Sequence, residues 1–323
     1  MKNILFYRDL IEYTGGHQKV ADYFQHCQHA ENIKPQISFS DRTHWNDVNP
    51  WLPEYQTQKV LYEPSRYDYI FVAGMDWNVY LPFQGYKNQP VINLIQHVRH
   101  ADAALPLRQF LKQPAVRICV SPQVADAITE TQEVNGPVFT INNGIELLNN
   151  TQDEKKYDVI ILGIKNYSLA QELSAALSHM NIRLDVILQP IARQELLHKM
   201  MQTKVAVLLP HATEGFYLPA LEAMALSDLV VVPDCIGNRG FCTHKLNCLI
   251  PEYTLDAMLN SITEALHLCN HTTDLYAMEL VNIKKHAQAT VAQHSLHRER
   301  QEFLSILQQL DTLWATKELY KHE

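Results

Sequence analysis

The chain has 323 residues, of which 46% are hydrophobic and 19% are charged, and its formal net charge at pH 7 is -8. This balance is typical of globular proteins and excludes a disordered or coiled-coil chain, while the acidic charge argues against a nucleic-acid partner. No apolar run reaches the roughly 18–20 residues that span a bilayer, and the length predicts about two domains.

The start of the chain and its cysteines favour a cytoplasmic protein. Residues 1–7 read as a strand, without the charged and then apolar pattern of a leader, so we expect no signal peptide. The six cysteines form no C-x-x-C pair. We therefore expect reduced thiols that are mostly buried.

The N-terminal half predicts parallel strand–helix units. A strand at 3–7 leads through Gly15 and Gly16 into a helix at 16–29, and this turn could bind an anion or could be a plain tight turn. Short branched strands follow at 36–40, 69–73, 91–95, 117–120 and 138–141. Residues 43–65 are irregular and are not assigned.

His97 follows the strand predicted at 91–95, at the end of a strand where open α/β sheets keep their ligands. It could donate a hydrogen bond or change charge near neutral pH, although a histidine in this place is usually only a satisfied polar group. The polar stretch 147–156 predicts a linker between two domains.

The C-terminal half predicts a second doubly wound unit. Strands are expected at 157–162, 183–188, 205–209 and 229–233, and helices at 168–179, 192–203, 218–226, 255–271, 274–294 and 295–319. Lys165 follows the first of these strands and could meet a phosphate as a point charge, or could be a solvated lysine.

The loop from His211 to Tyr217 connects an apolar strand to a helix that starts near Pro219. The free amides and the positive end of the helix dipole favour an anion at such a turn. Glu214 in the loop and Glu222 in the helix can both face one ligand, and carboxylates suit the vicinal hydroxyls of a sugar. The residues therefore predict one site for sugar, phosphate and ribose, against the plain alternative of a solvated helix start.

The segment from Glu214 to Glu222, EGFYLPALE, resembles the E-x7-E motif of retaining GT-B glycosyltransferases, in the common form EGFxLPxLEAMA. The resemblance implies that Glu214 binds the donor sugar and Glu222 the ribose. It also implies donor contacts from the residues between them, namely Gly215, Phe216, Tyr217 and Leu218. Tyr217 stands where the family usually has glycine, and the acid that often follows Gly237 is missing.

Four further residues match the family by position. Lys165 corresponds to the basic residue that contacts the donor diphosphate, although its loop is shorter than is usual. Gly15 and Gly16 correspond to a turn near the donor phosphates. His97 corresponds to a histidine that faces the donor sugar, which makes it a second candidate catalytic residue beside Glu214.

The resemblance implies an α/β fold with two Rossmann-like domains facing each other across a cleft. Residues 1–150 would form the N-terminal acceptor domain and 151–300 the C-terminal donor domain. The helix at 301–323 would return to the N-terminal domain.

The expected activity is transfer of a sugar from a nucleotide-diphosphate sugar to an acceptor hydroxyl with retained configuration. The family associates this activity with surface polysaccharide or other glycoconjugates, and hence with peripheral contact with the inner face of a membrane. The alternatives are a GT-B-like subunit that binds nucleotide-sugar or glycan without transferring it, and a GT-B-shaped epimerase.

We expect no cofactor and no metal ion. The sequence contains no D-x-D, H-E-x-x-H or Cys/His set with ligand spacing. The pairs His26 with His29 and His294 with His297, three residues apart on predicted helices, are interpreted as surface residues.

Overall fold

The computed structural model describes residues 1–51, 59–84, 88–146, 154–271 and 274–316. These residues form two compact units. Unit 1 comprises the described residues of Met1–Asn143 and Leu296–Glu323, and unit 2 those of Gly144–Ser295. The domain boundary predicted at residue 150 and most of the predicted linker lie outside the described residues.

Parallel strands and helices alternate along the described chain. The strands are β1 (Lys2–Arg8), β2 (Ile33–Phe39), β3 (Tyr69–Ala73), β4 (Val91–Ile95), β5 (Val116–Cys119), β6 (Val138–Thr140), β7 (Tyr157–Leu162), β8 (Leu184–Ile187), β9 (Thr203–Leu208) and β10 (Leu229–Val231). The α-helices are α1 (Gly15–Gln28), α2 (Trp77–Tyr80), α3 (Pro122–Glu130), α4 (Tyr167–Leu177), α5 (Arg193–Met201), α6 (Leu218–Leu226), α7 (Leu255–Asn270), α8 (Asp274–Gln293), α9 (Leu296–Gln308) and α10 (Leu310–Ala315).

Each unit contains one parallel sheet in its described part. The strand order is β2-β1-β3-β4-β5-β6 in unit 1 and β10-β9-β7-β8 in unit 2. Both orders reverse direction beside the first strand of the unit, as in doubly wound folds. The predicted α/β class with two Rossmann-like units is confirmed.

Both faces of the unit 2 sheet are buried, which explains its branched, apolar strands. Val159 and Ile161 of β7 pack into one core cluster, whereas Ile160 and Leu162 pack into the other. Because side chains of a strand alternate between its two faces, one continuous apolar run supplies both layers.

Several helices start at side chains that cap their first amides. Ser121 accepts a hydrogen bond from the Val124 N–H at the start of α3, and Thr254 does the same for α7. Such caps satisfy donors that have no partner inside the helix.

Some predicted helices end early or are interrupted, and the helix predicted at 168–179 ends at Leu177. The helix predicted at 192–203 ends at Met201, and Thr203 already begins β9. The helix predicted at 295–319 is interrupted at Gln309 and divided into α9 and α10, and its predicted end at 317–319 lies outside the described residues. Helical propensity does not reveal such breaks, because tertiary contacts decide them.

The surface interpretation of the histidine pairs is wrong for one member of each pair. His26 is buried and its Nε2 lies 2.9 Å from Oε1 of Glu299. His294 is buried against Phe216 and Phe241, with ring centroids 5.8 and 5.5 Å away. For His26, which lies on α1, the spacing does not say whether its face of the helix is exposed. His294 lies between α8 and α9 and not on a helix, so the helical spacing does not apply to it.

Five of the six cysteines are buried and none forms a disulfide, as expected. Within the described ranges, no helix is both long and apolar enough to cross a bilayer. The same residues contain no group of three or more His, Cys, Asp or Glu side chains placed to hold a metal ion.

Candidate functional site

Two neighbouring strands of unit 2 end beside each other at the candidate site. β7 and β9 pair in parallel, with Leu162 opposite Leu208, so their carboxyl ends share one edge of the sheet. The loop after β7 carries Lys165, and the loop after β9 carries Glu214. The fold alone therefore brings together two residues that are 49 positions apart.

Lys165 and Glu214 form an ion pair between the Nζ ammonium and Oε1. The Lys165 side chain is 40% exposed and that of Glu214 13% exposed, so the pair lies at the surface with the carboxylate set deeper. Nζ also lies 5.6 Å from the centroid of the Tyr217 ring. Three of the predicted site residues thus form one cluster.

The Glu214 loop is supported by the loop that follows β10. The Tyr217 N–H donates to the Gly237 carbonyl at 3.0 Å, and the Ile236 N–H donates to the Ala212 carbonyl at 3.0 Å. A Cβ on Gly237 would lie 2.9 Å from both Cβ of Glu214 and the backbone N of Tyr217. The glycine is therefore required for the close approach of the two loops.

The N-terminus of α6 lies directly after this loop, and its dipole favours negative charge there. Two of the amides predicted to contact the ligand already donate within the chain. The Tyr217 N–H bonds to Gly237, as described, and the Leu218 N–H lies 3.2 Å from the Phe216 carbonyl. A ligand at these two amides would compete with those bonds.

Tyr217 is a buried side chain, only 2% exposed. Burial, together with the negative charge of Glu214, raises the pKa of its phenol well above 10. Burial also raises the pKa of the neighbouring Cys235 to about 11. Both groups are therefore neutral at pH 7, and the aromatic ring occupies space that a glycine would leave empty.

The second glutamate of the motif has a basic partner. Oε1 of Glu222 lies 3.0 Å from Nε and 2.8 Å from Nη2 of Arg193, the first residue of α5. The Glu222 side chain is 7% exposed and that of Arg193 29% exposed. Glu222 is thus a buried carboxylate whose charge is neutralised by a half-buried guanidinium.

The start of α4 also lies at this edge of the sheet. Asn166 caps the helix through its side-chain oxygen, which accepts from the Leu169 N–H at 3.3 Å. A Cβ on Gly163 would lie 2.2 Å from Cβ of Ala170, so this glycine lets α4 pack closely on β7. The loops that carry Lys165 and Glu214 therefore lead into the positive ends of α4 and α6.

The predicted residues of unit 1 also lie close to one another. The Gln96 amide donates to the carbonyl of Gly16 at 3.2 Å, which links the glycine turn after β1 to the end of β4. Gly15 is the exposed first residue of α1. Nδ1 of His97 accepts from the Arg99 N–H at 3.0 Å, so the neutral ring carries its proton on Nε2. Gly15, Gly16 and His97 thus lie at the carboxyl ends of β1 and β4.

Arg193 was not predicted from the sequence, although a signal for it was present. A basic residue in the first turn of a helix opposes the helix dipole. Such a residue after a strand's carboxyl end therefore suggests a negatively charged partner, by the same argument that singled out Lys165. The support from Gly237 was not foreseeable, because it depends on how two loops pack.

A family comparison covers the part of the chain that carries these loops. Residues 139–277 match the family model for glycosyl transferases group 1. The matched segment, which includes Lys165, Arg193, Glu214 and Glu222, is similar to that family. The resemblance to glycosyltransferases drawn from the sequence is confirmed, and the retaining mechanism stays a prediction. No curated protein matches the chain in sequence.

Solved structures extend the likeness to the whole fold. Sucrose-phosphate synthase from Thermosynechococcus elongatus has a TM-score of 0.70 at 12% identity, covering 97% of this chain and 100% of that one. HepE from Anabaena in complex with UDP-glucose has a TM-score of 0.71 at 13% identity, covering 96% and 100%. The apo form of the lipopolysaccharide outer core galactosyltransferase WaaB has a TM-score of 0.65 at 12% identity, covering 95% and 99%. At these identities the likeness defines the fold, which is that of the GT-B glycosyltransferases.

Proposed function

We propose that the chain is a retaining glycosyltransferase that moves a sugar from a nucleotide-diphosphate sugar to an acceptor hydroxyl. The observation that carries the proposal is the cluster of Lys165 and Glu214 at the start of α6. It places a cation, a carboxylate and a helix N-terminus together, which are the groups that a sugar diphosphate requires.

Each group has one role in this proposal. Glu214 accepts hydrogen bonds from hydroxyls of the donor sugar, and Glu222 accepts from the ribose. The Lys165 ammonium leaves Glu214 and binds the diphosphate. Gly215 and Phe216 contribute backbone contacts to the sugar and phosphate. Gly15, Gly16 and His97 of unit 1 are proposed contacts of the same donor, by family resemblance alone.

The chemical step exchanges one bond at the anomeric carbon for another. The bond to the diphosphate oxygen breaks and the acceptor oxygen bonds to the same face, so the configuration is retained. The departing phosphate takes the proton of the acceptor hydroxyl. Lys165 and the positive ends of α4 and α6 offset the charge that develops on the diphosphate. With these groups at hand, we propose that neither a metal ion nor a cofactor is needed.

The structure of HepE with UDP-glucose makes uridine-diphosphate sugars the first donors to test. The proposed acceptor is a glycan or another glycoconjugate hydroxyl. A role in surface polysaccharide synthesis, a cytoplasmic location and peripheral contact with a membrane stay predictions. A binding subunit without transferase activity is the second candidate, because both motif glutamates are ion-paired within the chain.

The test is release or transfer of sugar from a panel of nucleotide-sugars by the wild type and by Glu214→Ala. We expect the substitution to lower turnover by roughly a hundredfold or more, because it removes a group that stabilises the transition state. Glu172→Ala is the matched control, since Glu172 is an exposed residue of α4, and it should keep wild-type turnover. Thermal melting checks that both variants fold.

Two results would decide against the proposal. Near wild-type turnover in Glu214→Ala would refute the role of this carboxylate. Donor binding by the wild type without release or transfer of any sugar would favour the binding subunit instead.

A further inference from the structure

The ion pair between Arg193 and Glu222 is one-sided. The guanidinium contacts this carboxylate from Nε at 3.0 Å and from Nη2 at 2.8 Å, and both of these contacts end on Oε1. No hydrogen bond to Oε2 is found among the described residues. One oxygen of this buried carboxylate is therefore held by the chain, and its other oxygen is left as an acceptor.

Two contacts to one oxygen restrict how the carboxylate can turn. Arg193 begins α5 and Glu222 lies in the second turn of α6, and these two helices pack against each other. The planar guanidinium is held at the junction of the two helices, and with only 7% of the Glu222 side chain exposed there is little room to rotate. A carboxylate free of such a partner could offer both oxygens equally to two adjacent hydroxyls, whereas here the guanidinium competes for Oε1 and Oε2 is the oxygen that remains open to a ligand.

We propose that Arg193 is a positioning residue that makes ribose recognition one-sided: Glu222 accepts a hydrogen bond from only one of the two ribose hydroxyls, through Oε2. The inference rests on the proposed function, since it requires a nucleotide at this site. It adds a specificity that the two-glutamate motif does not itself predict. Removal of one particular ribose hydroxyl weakens nucleotide binding, and removal of the other does not.

A merely structural role for Arg193 gives a different result. If the ion pair only joins α5 to α6, its loss lowers stability and weakens every nucleotide by the same factor. The ratio of the affinities of the two deoxy analogues distinguishes the two roles. A general loosening of the site weakens both analogues alike and leaves this ratio unchanged.

The experiment measures binding by calorimetry. UDP, GDP and ADP are titrated into the wild type, and the tightest of them is then compared with its 2′-deoxy and 3′-deoxy forms. We expect one deoxy form to bind about tenfold more weakly, as for loss of a hydrogen bond to a charged group, and the other to bind within about twofold of the parent.

Two substitutions then test the cause. In Arg193→Met the carboxylate is released, and we expect the two deoxy forms to differ by no more than about twofold. Arg193→Lys keeps a cation beside Oε1 and should preserve part of the contrast. Arg183→Met is the matched control, because Arg183 forms an arginine–carboxylate pair with Asp158 elsewhere in unit 2. It should leave the tenfold contrast intact.

The outcomes separate this inference from the proposed function. Equal loss for the two deoxy forms in the wild type, or an unchanged contrast in Arg193→Met, overturns the role of Arg193 while nucleotide binding stands. Failure of all three nucleotides to bind overturns both. The wild-type comparison needs no substitution, so it can overturn the inference even if a variant fails to fold.

Discussion

Gly237 shows how a single residue outside the motif can control the site. Its missing side chain lets the loop after β10 accept the Tyr217 N–H and lie against Glu214. The next residue, Asn238, holds this loop together, because its side-chain amide donates to the Pro233 carbonyl at 2.9 Å.

We predict that Gly237→Ala disturbs the site more than the alanine methyl group itself would suggest. The new Cβ would lie 2.9 Å from backbone atoms of Glu214 and Tyr217, which cannot move as a flexible side chain could. We expect donor binding to weaken at least tenfold and the free energy of unfolding to fall by about 1–3 kcal/mol, as for overpacking. Calorimetry and urea unfolding measure the two effects.

Gly16→Ala is the stability control for this prediction. Its Cβ would meet nothing closer than 3.5 Å, which is an ordinary contact. We expect its free energy of unfolding to change by less than about 1 kcal/mol. A similar loss of stability in both variants would show that close packing at Gly237 is not the cause.

At the residue scale, the acidic residues Glu214 and Glu222 were predicted from the sequence, and the basic residue Arg193 was not. Glu214, Glu222 and Lys165 could be selected because each follows a strand or opens a helix in a recognisable spacing. How these residues pair could not be predicted, since the pairing of Lys165 with Glu214 depends on β7 lying beside β9. That neighbourhood is a property of the sheet order, which one sequence does not encode in any local pattern.

At the element scale, α1 and α9 are joined by buried charges. Nζ of Lys19 lies 2.7 Å from Oδ2 of Asp22 and 2.6 Å from Oε2 of Glu299, and His26 contacts the other oxygen of Glu299. The Lys19 and Glu299 side chains are at most 1% exposed. Charges so deeply buried are tolerated only when they are paired.

We predict that Glu299→Ala destabilises unit 1 by about 3–5 kcal/mol, because it leaves the Lys19 ammonium buried with fewer partners. Glu302→Ala on the same helix is the matched control. Glu302 pairs with Arg298 at the surface, where such a pair contributes about 0.5 kcal/mol or less. The urea midpoint of unit 1 measures both, and equal shifts would contradict the buried network.

Element boundaries were predictable where an apolar run ends abruptly. β3 and β4 were predicted with the bounds they have, because branched residues stop at Gly74 and at Gln96. The interruption at Gln309 carries no glycine or proline in the sequence. Its cause lies in packing, and the sequence pattern could not reveal it.

At the scale of the whole molecule, a buried histidine and a half-buried one couple stability to pH. Burial lowers the pKa of His100 to about 3, with His97 and Arg117 adding to the effect. Burial and Arg8 lower the pKa of His17 to about 4. Both rings are thus neutral in the folded chain down to acidic pH, whereas in the unfolded chain they bind protons below about 6.5.

The sign of the pH effect follows from this difference. Between pH 6.5 and about 3 these two rings bind more protons in the unfolded chain, so their contribution to stability falls as the pH falls through this window and is constant above it. We predict that His100→Leu flattens the slope by at most about 1.4 kcal/mol per pH unit. Urea unfolding followed by circular dichroism between pH 7 and 4 measures it, and an unchanged slope in the variant would refute the assignment.

Unit 1 is made in two parts, one before unit 2 and the other after it. During synthesis its residues 1–143 leave the ribosome before any of unit 2, but α9 follows only after residue 295. Until then Tyr23 lacks the ring of Phe303, which packs 4.8 Å from it in the finished unit. A nascent chain halted inside unit 2 therefore presents an incomplete apolar surface, on which chaperones and proteases can act.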